Sequence, residues 1–168
     1  MIKKFYVYTG ILSLVVSFIF SFSKTDTDDY FYPIKNNISI SSYYGVRMLF
    51  NKYNFHNGID IPASPGTPVY SISNGVVKYI CFDNNGYGNY IIIIHNNSYK
   101  SLYAHLSDVA IVKLGDYIKK GQIISYVGPK ILSNGKQNGN TTGSHLHFCV
   151  YSNSGKTIDP LTLNYENK

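Results

Sequence analysis

Residues 142–148 are Thr142-Gly143-Ser144-His145-Leu146-His147-Phe148. Their alternating pattern is typical of a β-strand and places the two histidines on one face of it. Side chains at positions i and i+2 of a strand project to the same side, about 6.6 Å apart. One imidazole can therefore bind a metal ion while its neighbour faces whatever that ion binds. Solvated or core histidines explain a lone His-x-His equally well, so the rest of the chain must decide.

Short apolar runs separated by Gly, Asn, Asp and Pro make up the chain from Ile38 onward. No window combines a sustained 3.6-residue apolar period with helix caps. The continuously apolar residues 91–94 predict a strand segment buried on both faces. The pattern as a whole predicts an all-β domain with a mostly antiparallel sheet. The predicted strands are residues 69–73, 75–82, 90–95, 99–105, 123–127 and 145–151, with hairpin turns at 83–88 and 96–98.

Length and composition exclude several functions. The 168 residues suffice for one domain. The formal charge is +6, and the basic residues are scattered rather than clustered, which argues against a nucleic-acid partner. Glu166 is the only glutamate, so a His-Glu-x-x-His zinc site cannot be present. The eight aspartates show no conspicuous pairing of the kind that a glycosidase needs.

The N-terminal segment has the features of an export signal. Lys3 and Lys4 precede an apolar run at residues 5–22, and small residues precede a cleavage point after Ser23. The run is also nearly long enough to be an uncleaved membrane anchor, and a buried helix is a third alternative. The first two interpretations predict an apolar N-terminal helix and export of the remainder to the cell envelope, either secreted or anchored. The predicted organisation is a signal peptide or membrane anchor (1–23), a linker (24–36), a domain (37–163) and a C-terminal tail (164–168).

A second candidate metal-binding stretch is His56-Asn57-Gly58-Ile59-Asp60. A fully extended chain would separate His56 from Asp60 by about 13 Å, which is too far for both to reach one ion. Gly58 permits a bend that brings them together, and Pro62 disfavours a helix here. A His-x-x-x-Asp pattern alone is weak evidence, because chance placement on a surface explains most instances.

The histidines and Asp60 together suggest a catalytic rather than a structural metal site. His56, Asp60 and either His145 or His147 form a set of three ligands, and three protein ligands with an open position are typical of catalytic zinc. Structural zinc sites are usually closed by four ligands, commonly cysteines, and this chain has two cysteines. The remaining histidines can act on the zinc-bound water. We interpret His95, at the end of the preceding strand, as structural.

Seven short motifs, in this order along the chain, resemble those of the M23 metallopeptidases, the lysostaphin- and LytM-type cell-wall endopeptidases. The resemblance extends from about residue 38 to residue 161. The motifs are Tyr44-Gly45-Val46-Arg47, His56-Asn57-Gly58-Ile59-Asp60, Gly66-Thr67-Pro68-Val69, Gly75-Val76-Val77, Gly86-Tyr87-Gly88-Asn89-Tyr90, Tyr103-Ala104-His105-Leu106 and residues 142–148.

This resemblance implies a role for each candidate residue. His56, Asp60 and His147 would bind one Zn²⁺ per chain, while His105 and His145 would be the catalytic pair that activates water and stabilises the oxyanion. It also implies a β-sheet fold with a zinc-containing groove. The implied function is an exported zinc metalloendopeptidase that hydrolyses peptide cross-bridges of peptidoglycan through a zinc-activated water.

Some alternatives stay open at this point. Family members often carry an acidic residue at the position of Cys149, which would share a strand face with His147 and so is an alternative fourth ligand. A Cys81–Cys149 disulfide is a second alternative, although free thiols in buried strands are favoured. The polar residues 133–142 form either a floppy surface loop or a loop bordering the site. Alternative functions are a non-catalytic LytM-like domain that activates a cell-wall amidase, and a metallopeptidase with another exported substrate. No oligomeric state is predicted.

Overall fold

The computed structural model describes residues 29–35, 39–49, 51–109 and 111–166. Within these ranges the chain forms strands and one short 3-10 helix, Pro160–Thr162, with no α-helix. The strands are β1 (Gly45–Leu49), β2 (Lys52–His56), β3 (Ile59–Pro62), β4 (Pro68–Tyr70), β5 (Gly75–Asp83), β6 (Gly88–His95), β7 (Lys100–Ala104), β8 (Tyr117–Ile118), β9 (Ile123–Tyr126), β10 (His145–Tyr151) and β11 (Thr157–Ile158).

Seven of these strands form one antiparallel sheet. Its order is β11-β10-β7-β6-β5-β8, and β3 pairs with the first half of β10. β1 and β2 form a separate hairpin, and β4 pairs with β9. The predicted all-β, mostly antiparallel fold class is therefore confirmed. The apolar N-terminal helix predicted for residues 1–23 lies outside the described residues. No helix among the described residues is both long and apolar enough to cross a membrane.

The strand predictions were most accurate for the three longest strands. The segment 145–151 is strand β10 at its predicted bounds, and 75–82 and 90–95 are β5 and β6 with small extensions. The prediction that residues 91–94 are buried on both faces of the strand was wrong. Ile91 and Ile93 are buried, whereas Ile92 and Ile94 are only half-buried. Only the face of β6 that carries Ile91 and Ile93 packs into the main hydrophobic cluster.

Five strands were missed, namely β1, β2, β3, β8 and β11. The hairpin of β1 and β2 carries four exposed apolar side chains, Val46, Met48, Tyr53 and Phe55, on one face. Since this face does not contribute to a core, its residues lack the alternation of buried and polar positions on which the prediction relied. The other three strands are only two to four residues long.

The core continues beyond the predicted domain bounds. Tyr32 and Ile34, in the segment predicted to be a linker, are buried in the main hydrophobic cluster. Tyr165, in the predicted tail, packs edge-on against Tyr32 with ring centroids 5.0 Å apart. The boundaries at residues 36 and 163 stay predictions, but described residues on both sides of them contribute to the core.

Candidate active site

Strand pairing brings the two halves of the candidate metal site together. In the antiparallel register of β3 and β10, Asp60 lies directly opposite His147. Nδ1 of His147 is 2.8 Å from Oδ1 of Asp60. Nε2 of His56, the last residue of β2, is 3.1 Å from the same oxygen and 3.0 Å from Nδ1 of His147. One donor atom from each of the three residues lies within 4.8 Å of the others.

Gly58 makes this convergence sterically feasible. The backbone bends at Asn57 and Gly58, between β2 and β3, as the sequence predicted. The bend also presses Gly58 against β10. A Cβ atom at Gly58 would lie 2.3 Å from the carbonyl oxygen of Phe148 and 2.7 Å from Sγ of Cys149. Glycine is therefore required here by the close approach to β10.

The protonation states of Asp60 and His147 suit a divalent cation. Burial alone would raise the pKa of Asp60, but hydrogen bonds with His147 and His56 hold it well below its usual range. Burial lowers the pKa of His147, although Asp60 opposes this effect. The set therefore supplies a carboxylate and a neutral imidazole from these two residues, which are the forms that bind metal. Two imidazoles and one carboxylate are a ligand set suited to zinc.

The other two candidate histidines lie beside this cluster. Nε2 of His145 is 3.5 Å from Oδ1 of Asp60, and its Nδ1 is 2.9 Å from the carbonyl oxygen of Gly143. The rings of His105 and His145 have centroids 4.6 Å apart. The structure thus brings all five predicted residues together, and the i and i+2 histidines of β10 share one face as predicted.

His105 is held in a defined orientation. It follows β7 with φ of 57°, an uncommon conformation for a residue other than glycine. Its Nδ1 lies 2.7 Å from the carbonyl oxygen of Asn138, so Nδ1–H donates to that oxygen and Nε2 keeps its lone pair. Burial, reinforced by the neighbouring His145, lowers the pKa of His105 to about 4. The ring is neutral at pH 7.

Several residues around the cluster had no predicted role. Nη1 of Arg47 lies 3.2 Å from Oδ2 of Asp60. The carbonyl oxygen of Tyr43 lies 2.9 Å from Nδ1 of His56, and the ring of Tyr87 stacks on His147 with centroids 5.5 Å apart. Arg47 and Tyr87 lie within motifs that were recognised in the sequence, but the spacing of those motifs did not predict which group each side chain contacts.

The cluster opens into a groove of about 600 Å³. All five candidate residues line this groove, together with Arg47 and residues 140–142. The loop 133–142 also supplies the carbonyl group of Asn138, a residue with 0% of its surface exposed. These contacts support the interpretation that the loop borders the site rather than extending freely into solvent.

Both cysteines are free, so the alternative of a Cys81–Cys149 disulfide is wrong. Cys81 is exposed and not buried as expected, whereas Cys149 is fully buried. Sγ of Cys149 lies 3.0 Å from Nε2 of His147, the ring nitrogen that does not face Asp60. Burial raises the pKa of the Cys149 thiol, which keeps it protonated. Cys149 is therefore placed outside the ligand cluster.

His95 lies outside the cluster as well. It is buried, with Nδ1 3.1 Å from the carbonyl oxygen of Asn74 and Nε2 2.7 Å from Oγ of Ser101. Burial lowers its pKa to about 4. These contacts support the structural interpretation of this histidine.

Comparison with known proteins places this arrangement in a family. The family model "Peptidase family M23" matches residues 54–160. The peptidoglycan DD-endopeptidase ShyA of Vibrio cholerae is 37% identical over 121 residues, which are 70% of this chain and 26% of that protein. The chain spans about a quarter of the length of the first curated relatives it matches.

Solved structures show the same fold. The catalytic domain of lysostaphin from Staphylococcus simulans superimposes with a TM-score of 0.63 at 36% identity, covering 74% of this chain and 90% of that one. A zinc-containing peptidase from Vibrio cholerae gives a TM-score of 0.67 at 31% identity, covering 82% of this chain and 40% of that one. Because the family model spans most of the chain and the similarity extends to the fold, the chain belongs to peptidase family M23.

Proposed function

We propose that this protein is an exported zinc metalloendopeptidase that hydrolyses peptide cross-links in bacterial peptidoglycan. The observation that carries the proposal is the convergence of His56, Asp60 and His147, with His105 and His145 beside them, at an open groove. The names of relatives support the substrate, since they include a peptidoglycan DD-endopeptidase and lysostaphin. The presence of all five residues disfavours the alternative of a non-catalytic activator of an amidase, because such domains usually lack some of them.

In this proposal His56, Asp60 and His147 hold one Zn²⁺ per chain. When bound, the ion would act as a Lewis acid on the scissile carbonyl and lower the pKa of the attacking water to about 7. The low pKa of Asp60 keeps its carboxylate ionised, so that its charge is available to hold the cation. The carbonyl group of Tyr43 fixes the ring of His56 by accepting a hydrogen bond from Nδ1, which leaves Nε2 directed at the cluster.

We assign His105 as the general base. Its Nδ1–H is fixed on the Asn138 carbonyl group, and its neutral ring offers the Nε2 lone pair to a proton. A base must be unprotonated at the working pH, and the lowered pKa of His105 meets that condition. We assign His145, whose Nε2 lies 3.5 Å from Asp60, to stabilisation of the oxyanion that develops on the substrate carbonyl.

The location of the protein follows from the substrate in this proposal. Peptidoglycan lies outside the cytoplasmic membrane, so the protein must be exported to act on it. The apolar run at residues 5–22 with its preceding lysines is the segment that we propose for export, either as a cleaved signal peptide or as a membrane anchor.

The test is digestion of purified peptidoglycan by the full chain. We expect about one zinc ion per chain by elemental analysis, and new peptide termini in the solubilised fragments by mass spectrometry, which also identifies the bond cut. Removal of the metal with a chelator should abolish release, and added zinc should restore it. His147→Ala is the matched inactive control. Cross-links that stay intact with the zinc-loaded wild type would contradict the proposal and favour the activator alternative.

A further inference from the structure

The second nitrogen of His147 faces a set of contacts that the proposed reaction does not use. Nε2 of His147 lies 3.0 Å from Sγ of Cys149, and that sulfur lies 3.3 Å from Oδ1 of Asn57. Nδ2 of Asn57 donates to the hydroxyl group of Tyr87 at 2.6 Å. The ring of Tyr87 in turn stacks on His147, at an interplanar angle of 30°. The four side chains therefore form a closed ring of contacts around one imidazole.

From this ring of contacts we propose that Cys149 is a positioning residue for the metal centre. Its buried thiol fixes the orientation of the His147 ring and the tautomer that carries hydrogen on Nε2 and leaves Nδ1 free as a ligand. This inference rests on the proposed function, since it assigns a role beside the same metal site.

The directions of the hydrogen bonds are mutually consistent. When Nδ1 of His147 binds the metal, the ring hydrogen is on Nε2, which then donates to Sγ of Cys149, while the Cys149 S–H donates to Oδ1 of Asn57. A thiol both accepts and donates, so a single protonated cysteine fills both positions without a buried charge. In a histidine that binds a metal through one ring nitrogen, the other ring N–H commonly donates a hydrogen bond to a carboxylate, a carbonyl group or water, which fixes the tautomer in the same way. Here the thiol takes that place.

The surrounding backbone holds the sulfur in position. Gly58 leaves room for Sγ, because a Cβ atom there would lie 2.7 Å from it. Cys149 is two residues after His147 on β10, so the two side chains share one face of the strand. Both side chains are buried, so the contact of Nε2 is with the thiol and not with bulk solvent. Loss of the sulfur should leave a buried ring N–H without a partner.

The test measures zinc affinity of the full chain by competition with a chromogenic chelator. Cys149→Ala should weaken binding by about 10- to 100-fold, the range found when groups that orient metal ligands are removed. Cys149→Ser should keep most of the affinity, because a hydroxyl group also accepts and donates. Cys81→Ala is the matched control, since it removes the exposed thiol, and should bind as wild type does. A Cys149→Ala protein within about twofold of wild type would overturn the proposal.

Two spectroscopic measurements do not depend on catalysis. In nitrogen-15 NMR of the zinc-loaded wild type, His147 should show a slowly exchanging Nε2–H, which Cys149→Ser should retain and Cys149→Ala should lose. Infrared spectra of the metal-free wild type should show the Cys149 S–H band below the frequency of a free thiol, because the thiol donates to Asn57. A Cys149 band at the free-thiol position would refute the inference even if Cys149→Ala does not fold. Failure of the wild type to bind zinc would instead count against the proposed function.

Discussion

Arg47 and Asp60 form an ion pair on the side of the carboxylate that the histidines do not use. Nη1 of Arg47 lies 3.2 Å from Oδ2, whereas the histidine nitrogens gather around Oδ1. The guanidinium group thereby restricts rotation of the carboxylate and leaves one oxygen directed at the cluster. Both side chains are partly shielded from solvent, with 28% and 13% of their surfaces exposed, so the pair is less screened than an ordinary surface pair.

We therefore expect Arg47→Ala to weaken zinc binding by about tenfold, because Asp60 loses the group that orients it. Arg47→Lys is the control that keeps the charge but not the planar guanidinium, and should fall between wild type and Arg47→Ala. Isothermal titration calorimetry on the metal-free proteins measures both. Zinc binding by Arg47→Ala as tight as that of wild type would contradict this role, and tighter binding would show that Arg47 acts mainly as a repelling charge.

Replacement of His105 should separate catalysis from metal binding. We expect His105→Asn to lower kcat by about 10²- to 10⁴-fold, which is the usual contribution of a general base, with one zinc ion still bound. Asparagine is the suitable replacement because it tolerates the positive φ of 57° better than alanine does. Steady-state kinetics on a soluble peptide substrate, with zinc content measured in parallel, checks this. Loss of zinc together with activity would indicate that His105 is a metal ligand and not a general base.

The stability of the metal-free protein should fall in mild acid because of His95. The pKa of this buried ring is lowered from 6.5 to about 4, so the folded state disfavours the protonated form. The contribution of His95 to the free energy of unfolding is therefore complete above a pH of about 6.5, and it is lost as the pH falls toward about 4. The shift corresponds to at most about 3 kcal/mol.

The comparison of wild type with His95→Asn isolates this effect. The asparagine amide can still donate to the Asn74 carbonyl group but does not titrate. The free energy of unfolding of His95→Asn, measured in urea, should therefore depend less on pH between about 4 and 6.5 than that of wild type. His105 contributes in the same direction in both proteins and cancels in the difference. Parallel pH profiles for the two proteins would mean that His95 is not responsible.

The sequence predicted best those features that depend on alternation within a single strand. The bounds of β10 and the shared face of His145 and His147 follow from a period of two, which is a local property. The all-β class follows from the same pattern repeated along the chain. The separate roles of the two histidines were predicted from the family resemblance, because spacing within a strand does not say which of the two histidines lies against Asp60.

Features set by pairing between distant segments could not be predicted in this way. Asp60 reaches His147 through the register of β3 on β10, across 87 residues of chain. The contact between Asn138 and His105 depends on how a long polar loop folds back over the site. The alternative that Cys149 is a ligand failed for a related reason, since the strand face was right but the ring of His147 presents its other nitrogen to the sulfur.

Gly58 provides the sharpest test of how the fold positions the site. A Cβ atom at this position would approach the backbone oxygen of Phe148 to 2.3 Å, and backbone cannot move aside as a flexible side chain can. We expect Gly58→Ala to reduce the free energy of unfolding by about 2–3 kcal/mol, a typical cost of forcing extra atoms into a packed region. Gly143→Ala is the matched control, because nothing lies within 4 Å of the position of its Cβ and its φ is not positive.

Urea unfolding of the metal-free proteins should therefore place Gly143→Ala within about 0.5 kcal/mol of wild type and Gly58→Ala well below it. Zinc affinity should fall in Gly58→Ala as well, since the bend joins His56 to Asp60 and a shift of β3 away from β10 separates Asp60 from His147. If Gly58→Ala loses stability but binds zinc as tightly as wild type, the bend tolerates displacement and the ligand geometry is set by β10 and β3 alone. Equal stability of all three proteins would contradict the close packing of Gly58 against Phe148.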